Sequence, residues 1–234
     1  MSAPDPFEAL GRSLGAAITG KALTDVLGDL MLDLATVLDV HAISILVATS
    51  GEELDLLSAT SHRMADLEMY QAANEEGPCV DCLRTGGTVM ETGAAITARW
   101  PVVGAALAAA GFRTVLAIPM LWRGEPIAGL NLFWRDAREL TPEEQRIAET
   151  FAAAATLMLG QTSSAQRVTG NVVSVLHARV VVEQAKGALA FQHGLDLENA
   201  YVELRRRAHD DRADLADVAR ALLSSFARPR SDHD

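Results

Sequence analysis

The sequence of 234 residues has little cysteine: Cys79 and Cys82 are the only two, in a single Cys-x-x-Cys. There is no second pair, and the six histidines fall into no ligand spacing, so a metal site is not expected. Long apolar runs are missing as well. Runs such as Val102 to Phe112 and Phe151 to Gly160 stop well short of the roughly 18 residues that a membrane-spanning helix needs. The first residues, Met1 to Pro6, have neither the basic segment nor the apolar stretch of a secretory signal, which leads us to expect a cytoplasmic protein with no membrane partner. Catalytic signatures are also lacking. With no Gly-x-Ser-x-Gly, no His-Glu-x-x-His and no phosphate loop, no enzymatic activity is expected.

What is present is an ordinary soluble composition, 49% hydrophobic and 22% charged, in a chain long enough for two modest domains. The net charge of −11 is unevenly spread. Ten of the 20 Lys/Arg and ten of the 31 Asp/Glu lie from Arg167 onward, so the whole acidic excess precedes that point. A neutral C-terminal module with clustered arginines can still offer a basic patch, while the acidic remainder opposes non-specific binding of polyanions.

Taken in order, apolar residues recur at helical steps from Pro6 to Leu38, with Gly20 as an interruption. Two strands, Ala42 to Ala48 and Leu54 to Ala59, flank a hairpin turn at Thr49-Ser50-Gly51-Glu52. A helix from Arg63 to Asn74 leads to the turn Glu76-Gly77-Pro78, then to a short helix from Cys79 to Arg84 that Gly86-Gly87 ends. Thr88 to Glu91 is extended, and a loop through Arg99-Trp100-Pro101 enters the helix Val103 to Ala110. Strands Thr114 to Trp122 and Ile127 to Trp134 form a second hairpin, with Ala128, Leu130, Leu132 and Trp134 on one face. Thr141-Pro142-Glu143-Glu144 then starts a helix that runs to about Ser163. This order gives an α+β unit, an antiparallel sheet flanked by helices.

Beyond it, Val175, Ala178, Val182, Ala185 and Leu189 mark the buried stripe of a helix, with Arg179, Glu183 and Lys186 as a polar ridge beside it. Gly187 inside this helix costs about 1 kcal/mol relative to alanine, which points to a close approach by something else. Gly194 stops the helix, and Asp196 caps a second whose inner face is Leu197, Tyr201, Leu204 and Ala208. Asp214 caps a third, facing inward with Leu215, Val218, Ala219 and Leu222. Arg205, Arg206 and Arg207 form a basic corner, or alternatively a solvated helix face.

The motifs Val182-Glu183-Gln184-Ala185-Lys186-Gly187-Ala188-Leu189, Ala200-Tyr201 with Leu204-Arg205-Arg206 and Ala208, and Leu215 with Val218-Ala219 resemble the ANTAR domain over roughly residues 167–225. Ala190 stands where that family commonly has a long apolar residue, and Arg212 near a position often held by Asn. The resemblance implies a bacterial transcription antitermination regulator whose dimeric C-terminal module binds paired RNA hairpins and prevents a terminator from forming. The motifs Glu76-Gly77-Pro78-Cys79, Arg84-Thr85-Gly86, Trp100-Pro101, Leu116-Ala117-Ile118-Pro119-Met120 and Gly129-Leu130-Asn131-Leu132 resemble the GAF sensor domain. That likeness implies a cavity for a small ligand between sheet and helices, and specifies neither ligand nor cofactor.

The expected organisation is a helical extension over 1–20, a GAF-like sensor over 21–160, a connector over 161–170, an all-α three-helix ANTAR module over 171–225 and a disordered tail over 226–234. Breaks are expected at Ser163-Ser164 and Gly170. Apolar faces on either side, Ile147, Phe151, Ala154, Ala155 and Met158 before and Val172, Val173, Leu176 and Val180 after, predict a homodimer through coiled-coil-like helices. For phosphate contact the candidates are Lys186 and Arg205, then Arg179, Arg206 and Arg212, with Gly187 and Ala185 permitting close approach. Cys79 and Cys82 are candidates for redox sensing, because a helix start can lower a thiol pKa, or are simply small core side chains. Trp100, Trp122 and Trp134 are either pocket walls or core, and Glu75 and Glu76 read as solvated. Two other functions fit the same helices: a DNA-binding regulator using the last two as a helix-turn-helix, and a protein-docking module with no nucleic-acid partner.

Overall fold

The computed structural model describes residues 5–49, 54–160 and 165–227. The chain divides into two compact units, with the boundary between Val172 and Val173, inside one helix. Among the described residues no helix is long and apolar enough to cross a membrane, and no group of His, Cys, Asp and Glu could hold a metal.

The first unit is built on a fully antiparallel sheet of five strands: β1 (Ala42–Ala48), β2 (Leu54–Ala59), β3 (Val89–Thr92), β4 (Thr114–Trp122) and β5 (Glu125–Trp134), in the order β2-β1-β5-β4-β3. In the central strand β5 every residue from Ala128 to Trp134 is buried, so the sheet is covered on both faces. Ala128, Leu130, Leu132 and Trp134 share one face by strand alternation. On that side Trp134 Nε1 donates to the carbonyl of Leu38, at the end of α2 (Leu23–Val37), and α1 (Pro6–Ile18) and α7 (Pro142–Gly160) pack with α2. Gly129, Asn131 and Phe133 face the other way, toward α3 (His62–Asn74), α4 (Pro78–Thr85), α5 (Ala94–Arg99) and α6 (Pro101–Ala109). There Phe133 joins Cys82, Val89, Trp100, Val103, Phe112 and Val115 in one cluster.

Local chemistry accounts for most boundaries. The β4–β5 turn needs only Arg123 and Gly124, both at positive φ (55° and 90°), the geometry that matches strand twist in a two-residue hairpin. The helix start at Thr141 is a reciprocal cap: Thr141 Oγ1 accepts from the N–H of Glu144, and Glu144 Oε2 accepts from the N–H of Thr141. Glu76, expected to be solvated, instead accepts from the N–H groups of Val102 and Val103 at 2.8 and 3.0 Å, capping α6 across 26 residues of chain.

Other expectations change. The loop before Trp100 contains the helix α5, which is too short for its apolar spacing to register. It ends at Trp100 (φ −127°, ψ 86°), because the residue before a proline is pushed out of the helical region. The helix α8 (Ala165–His193) is continuous over 29 residues and Gly170 lies inside it, so the expected break there is corrected: without a left-handed cap a glycine weakens a helix but does not end it. The turn residues 50–53, Ser163-Ser164 and most of the 226–234 tail lie outside the described residues. The apolar face of α7 is not free for a partner. Phe151, Ala154, Ala155 and Met158 are all buried, and of the exposed large apolar side chains α7 contributes Leu157.

Two glycines separate packing from flexibility. A Cβ on Gly104 would lie 2.6 Å from the Ile96 carbonyl oxygen, whereas one on Gly28, inside α2, would meet nothing within 4 Å. Denaturant unfolding should therefore find Gly104→Val destabilised by about 1–3 kcal/mol and Gly28→Ala stabilised by roughly 0.5–1 kcal/mol.

Candidate nucleic-acid interface

The second unit is formed by the C-terminal part of α8 with α9 (Leu197–Asp211) and α10 (Leu215–Ala227). Val182, Ala185, Leu189, Ala200, Leu204 and Ala219 form its buried core. Gly194, at φ 63°, ends α8. Asp196 caps α9 by accepting from the N–H of Asn199 at 2.7 Å, and α9 ends on Arg212 in the left-handed region (φ 50°). The α9 face differs from the expected one: Ala200 and Leu204 are buried, while Leu197 is exposed, since it begins the helix at the rim of the core.

Charge in this unit is extensively paired. Lys186 is 2% exposed; its Nζ lies 2.7 Å from Glu183 Oε2 and 5.1 Å from the centre of the Tyr201 ring. Arg206 bonds both oxygens of Glu203 at 2.8 and 2.9 Å and also reaches Asp210 at 2.6 Å, while Arg207 shares Glu203 Oε1 at 2.8 Å. Hydrogen bonds from Arg206 and Arg207 hold the Glu203 carboxyl down at about 2, so it is ionised at any ordinary pH. Arg205 stacks near Tyr201, 5.9 Å from the ring centre, and Arg212 is exposed. Neither has an acidic partner among the described residues.

In the first unit the two cysteines open α4, and both are fully buried. Burial pushes the Cys79 thiol well above its usual range and Cys82 up to about 12. Asp81 between them turns outward to Arg99, at 2.9 Å, and to Trp100 Nε1, at 3.2 Å. Beside Cys79 lies a buried carboxyl, Glu68, held by Ser44 and Gln71 at 2.6 Å each.

The family models divide the chain where its geometry does. A model described as a GAF domain matches residues 22–159, more than half of the chain, and one described as an ANTAR domain matches residues 171–223. The chain belongs to the GAF family and carries a C-terminal ANTAR domain. Its parts are thus a small-ligand sensor and an RNA-binding antitermination module. A comparison with curated proteins finds no match. Among solved structures it is similar to the GAF domain of a phosphoenolpyruvate-protein phosphotransferase (ptsP) from Coxiella burnetii, at 15% identity and TM-score 0.54 over 69% of this chain and 96% of that one. It is also similar to the phycocyanobilin-bound GAF domain of a cyanobacterial phytochrome (11% identity, TM-score 0.53, 69% and 97% covered). A third likeness is to free methionine-R-sulfoxide reductase from Neisseria meningitidis (12%, 0.50, 68% and 92%). At such identities the likeness is one of fold.

Within the ANTAR domain the expected contact residues separate. Ala185 is in the core and Lys186 is packed against Tyr201; the polar ridge beside the apolar stripe turns inward at Lys186, because the stripe that buries Val182 and Leu189 is wide enough to take Lys186 with it. Arg179 is half-buried. Gly187 is exposed, and a Cβ there would meet nothing within 4 Å, so nothing among the described residues explains the glycine. Arg206 is occupied by carboxylates, whereas half-buried Arg205 and exposed Arg212 have no carboxylate partner among the described residues.

Within the GAF domain Trp100 and Trp134 are core residues, 2% and 0% exposed. Trp122 lines a depression of about 580 Å³ with Leu121, Arg123, Ala153, Thr156 and Leu157, and its ring so fills the space over Gly160 that a Cβ there would lie 2.2 Å away. The lowered thiol pKa that a helix start can give is not found at α4, since desolvation of a buried thiolate outweighs the helix terminus, and the alternative of small core side chains fits the burial of both cysteines. Sequence reasoning missed Glu68 entirely; its one signal was a charged residue four after Met64 on the inner stripe of a helix. For the cysteines the expected outcome is slow chemistry: native protein treated with a thiol reagent at neutral pH should label neither within minutes, and denatured protein both. Rapid native labelling, counted by mass spectrometry, would contradict that burial.

Proposed function

We propose that this protein is a dimeric, signal-responsive antitermination regulator whose ANTAR domain binds paired RNA hairpins through Arg205 and Arg212. The observation that carries the reading is the contrast between these two arginines, which present charge, and their neighbours Arg206 and Arg207, whose charge is answered by Glu203. Arg205 is held near the Tyr201 ring, so less side-chain freedom is lost when it meets a phosphate. Arg212, at the end of α9 in a left-handed turn, extends the same helix toward solvent.

For the dimer, Val173, His177, Val180, Gln184, Gly187 and Phe191 follow one another along α8 at alternating steps of four and three, and all six are exposed. That is the spacing of a coiled-coil seam. Val180 and Phe191 are 54% and 93% exposed, more apolar surface than a lone helix leaves in water without reason. Light scattering of the full chain at micromolar concentration should give twice the monomer mass, and Val180→Glu should shift it toward the monomer.

Titration with a paired-hairpin RNA at moderate salt, with duplex DNA as competitor, tests the RNA reading. Arg205→Ala and Arg212→Ala should each weaken binding about tenfold, the loss of one charge-assisted contact of ~1.4 kcal/mol, and lower the salt slope by roughly one. Arg206→Ala should change it least. Equal competition by DNA would favour the helix-turn-helix alternative, and no binding by either the full chain or its variants would favour a protein-docking module.

A further inference from the structure

Four elements of the GAF domain converge on one carboxyl. Glu68, on α3, is reached by Ser44 Oγ from β1 and by Gln71 Nε2 from its own helix, each donating at 2.6 Å. The Asn131 side chain from β5 joins the cluster through Ser44, its Nδ2 donating to Ser44 Oγ at 3.4 Å. Gln71 Oε1 accepts from the N–H of Cys79 at 3.0 Å, tying the start of α4 into the same cluster. Ser44, Glu68, Cys79 and Asn131 are 0% exposed and Gln71 is 2%. Packing is tight: a Cβ on Gly129 would lie 2.6 Å from Cys79 Sγ, and one on Gly77 2.2 Å from Gln71 Oε1.

Among the described residues no cation pairs with this carboxyl. The titratable group facing it from α4 is the Cys79 thiol, with Cys82 behind. Asp81 and Arg84 of α4 are engaged with Arg99 and with each other, and on β2 Asp55 accepts from the N–H of Leu56. The segments β1, α6 and 127–134 of β5 contain no titratable side chain. One acceptor in the cluster is left open: Asn131 Oδ1 is buried with no hydrogen-bond partner. A carboxylate only accepts hydrogen bonds, so in its ionised form Glu68 would bring a buried charge and no donor to this layer, whereas a carboxylic acid is neutral and has an O–H to donate. Because the cluster is closed and packed, a proton is the species it can exchange without opening.

We infer that Glu68 is a proton-binding site of the GAF domain, whose neutral form lets α3 and α4 pack on the sheet without a buried charge and whose ionised form loosens that packing. The proton comes from and returns to solvent, and no other bond changes. Burial pushes the Glu68 carboxyl up to about 7 against the opposing hydrogen bonds from Ser44 and Gln71, so the change falls near neutrality. The sign follows: a raised carboxyl favours the protonated folded state, so its stabilisation is complete below the usual carboxylate range and is lost as pH rises through about 7. The inference deepens the sensor reading by naming a signal, and it stands apart from RNA binding.

The test uses the full chain without RNA, from pH 5 to 8.5. The folding equilibrium of the wild type should weaken on the order of a hundredfold over that range, with protection of α3 and α4 amides against hydrogen exchange falling in parallel. In Glu68→Gln, which keeps a neutral donor at the site, that component should vanish. Infrared difference spectra of the wild type should show a buried carboxylic acid band that disappears with a midpoint near pH 7, a readout that holds even if the variant folds poorly. Absence of that band, or a Glu68→Gln protein whose pH dependence matches the wild type, would overturn the inference.

Discussion

A sheet buried on both faces must satisfy every polar group without water, and β5 is where that constraint is tightest. Its backbone is paired on either side, to β1 and to β4, but Asn131 puts a side-chain amide into the covered layer between sheet and helices. The hydroxyl of Ser44, the carboxyl of Glu68 and the amide of Gln71 are there because Asn131 is there, or the reverse; none could be buried alone without a penalty of about 1–3 kcal/mol. The cluster also decides where α4 begins, since Gln71 holds the amide of Cys79. A polar group in the core thus fixes the register of elements that apolar packing alone would leave freer.

The ANTAR domain solves a different problem, that of a helix rich in charge on a core of small residues. Ala185, Ala200 and Ala219 are fully buried and let three helices approach closely, but they contribute little apolar area each. Tyr201 adds what they lack. Its ring lies within about 6 Å of both Lys186 and Arg205, so one side chain extends the core outward and orders two cations at its edge.

Much of this was legible in the sequence. Both hairpins, the long helices and the caps at Asp196 and Thr141 follow from residue spacing and turn chemistry. The helix α5 was not, because six residues before a Trp-Pro pair carry too few periods to register. The ANTAR motifs located the helical module but not which of its side chains are paired or buried. Whether Lys186 lies on a ridge or inside depends on the width of a buried stripe, and whether Arg206 is available depends on Glu203 and Asp210, three and four residues away, adopting pairing rotamers. Glu68 and Asn131 are 63 positions apart in sequence, and only the β1–β5 register and the docking of α3 bring them together. Long-range polar contact of this kind leaves no local pattern.

The carboxylate of Glu203 carries a kinetic consequence. By answering Arg206 and Arg207 from within the same helix, it reduces the field that a passing polyanion would feel at a distance, and the acidic first unit reduces it further. Encounter with RNA is then little steered, so association should be slow relative to strongly basic binders, and residence on a wrong transcript brief. Discrimination between RNAs would fall to contacts made after collision, where shape decides and charge only assists.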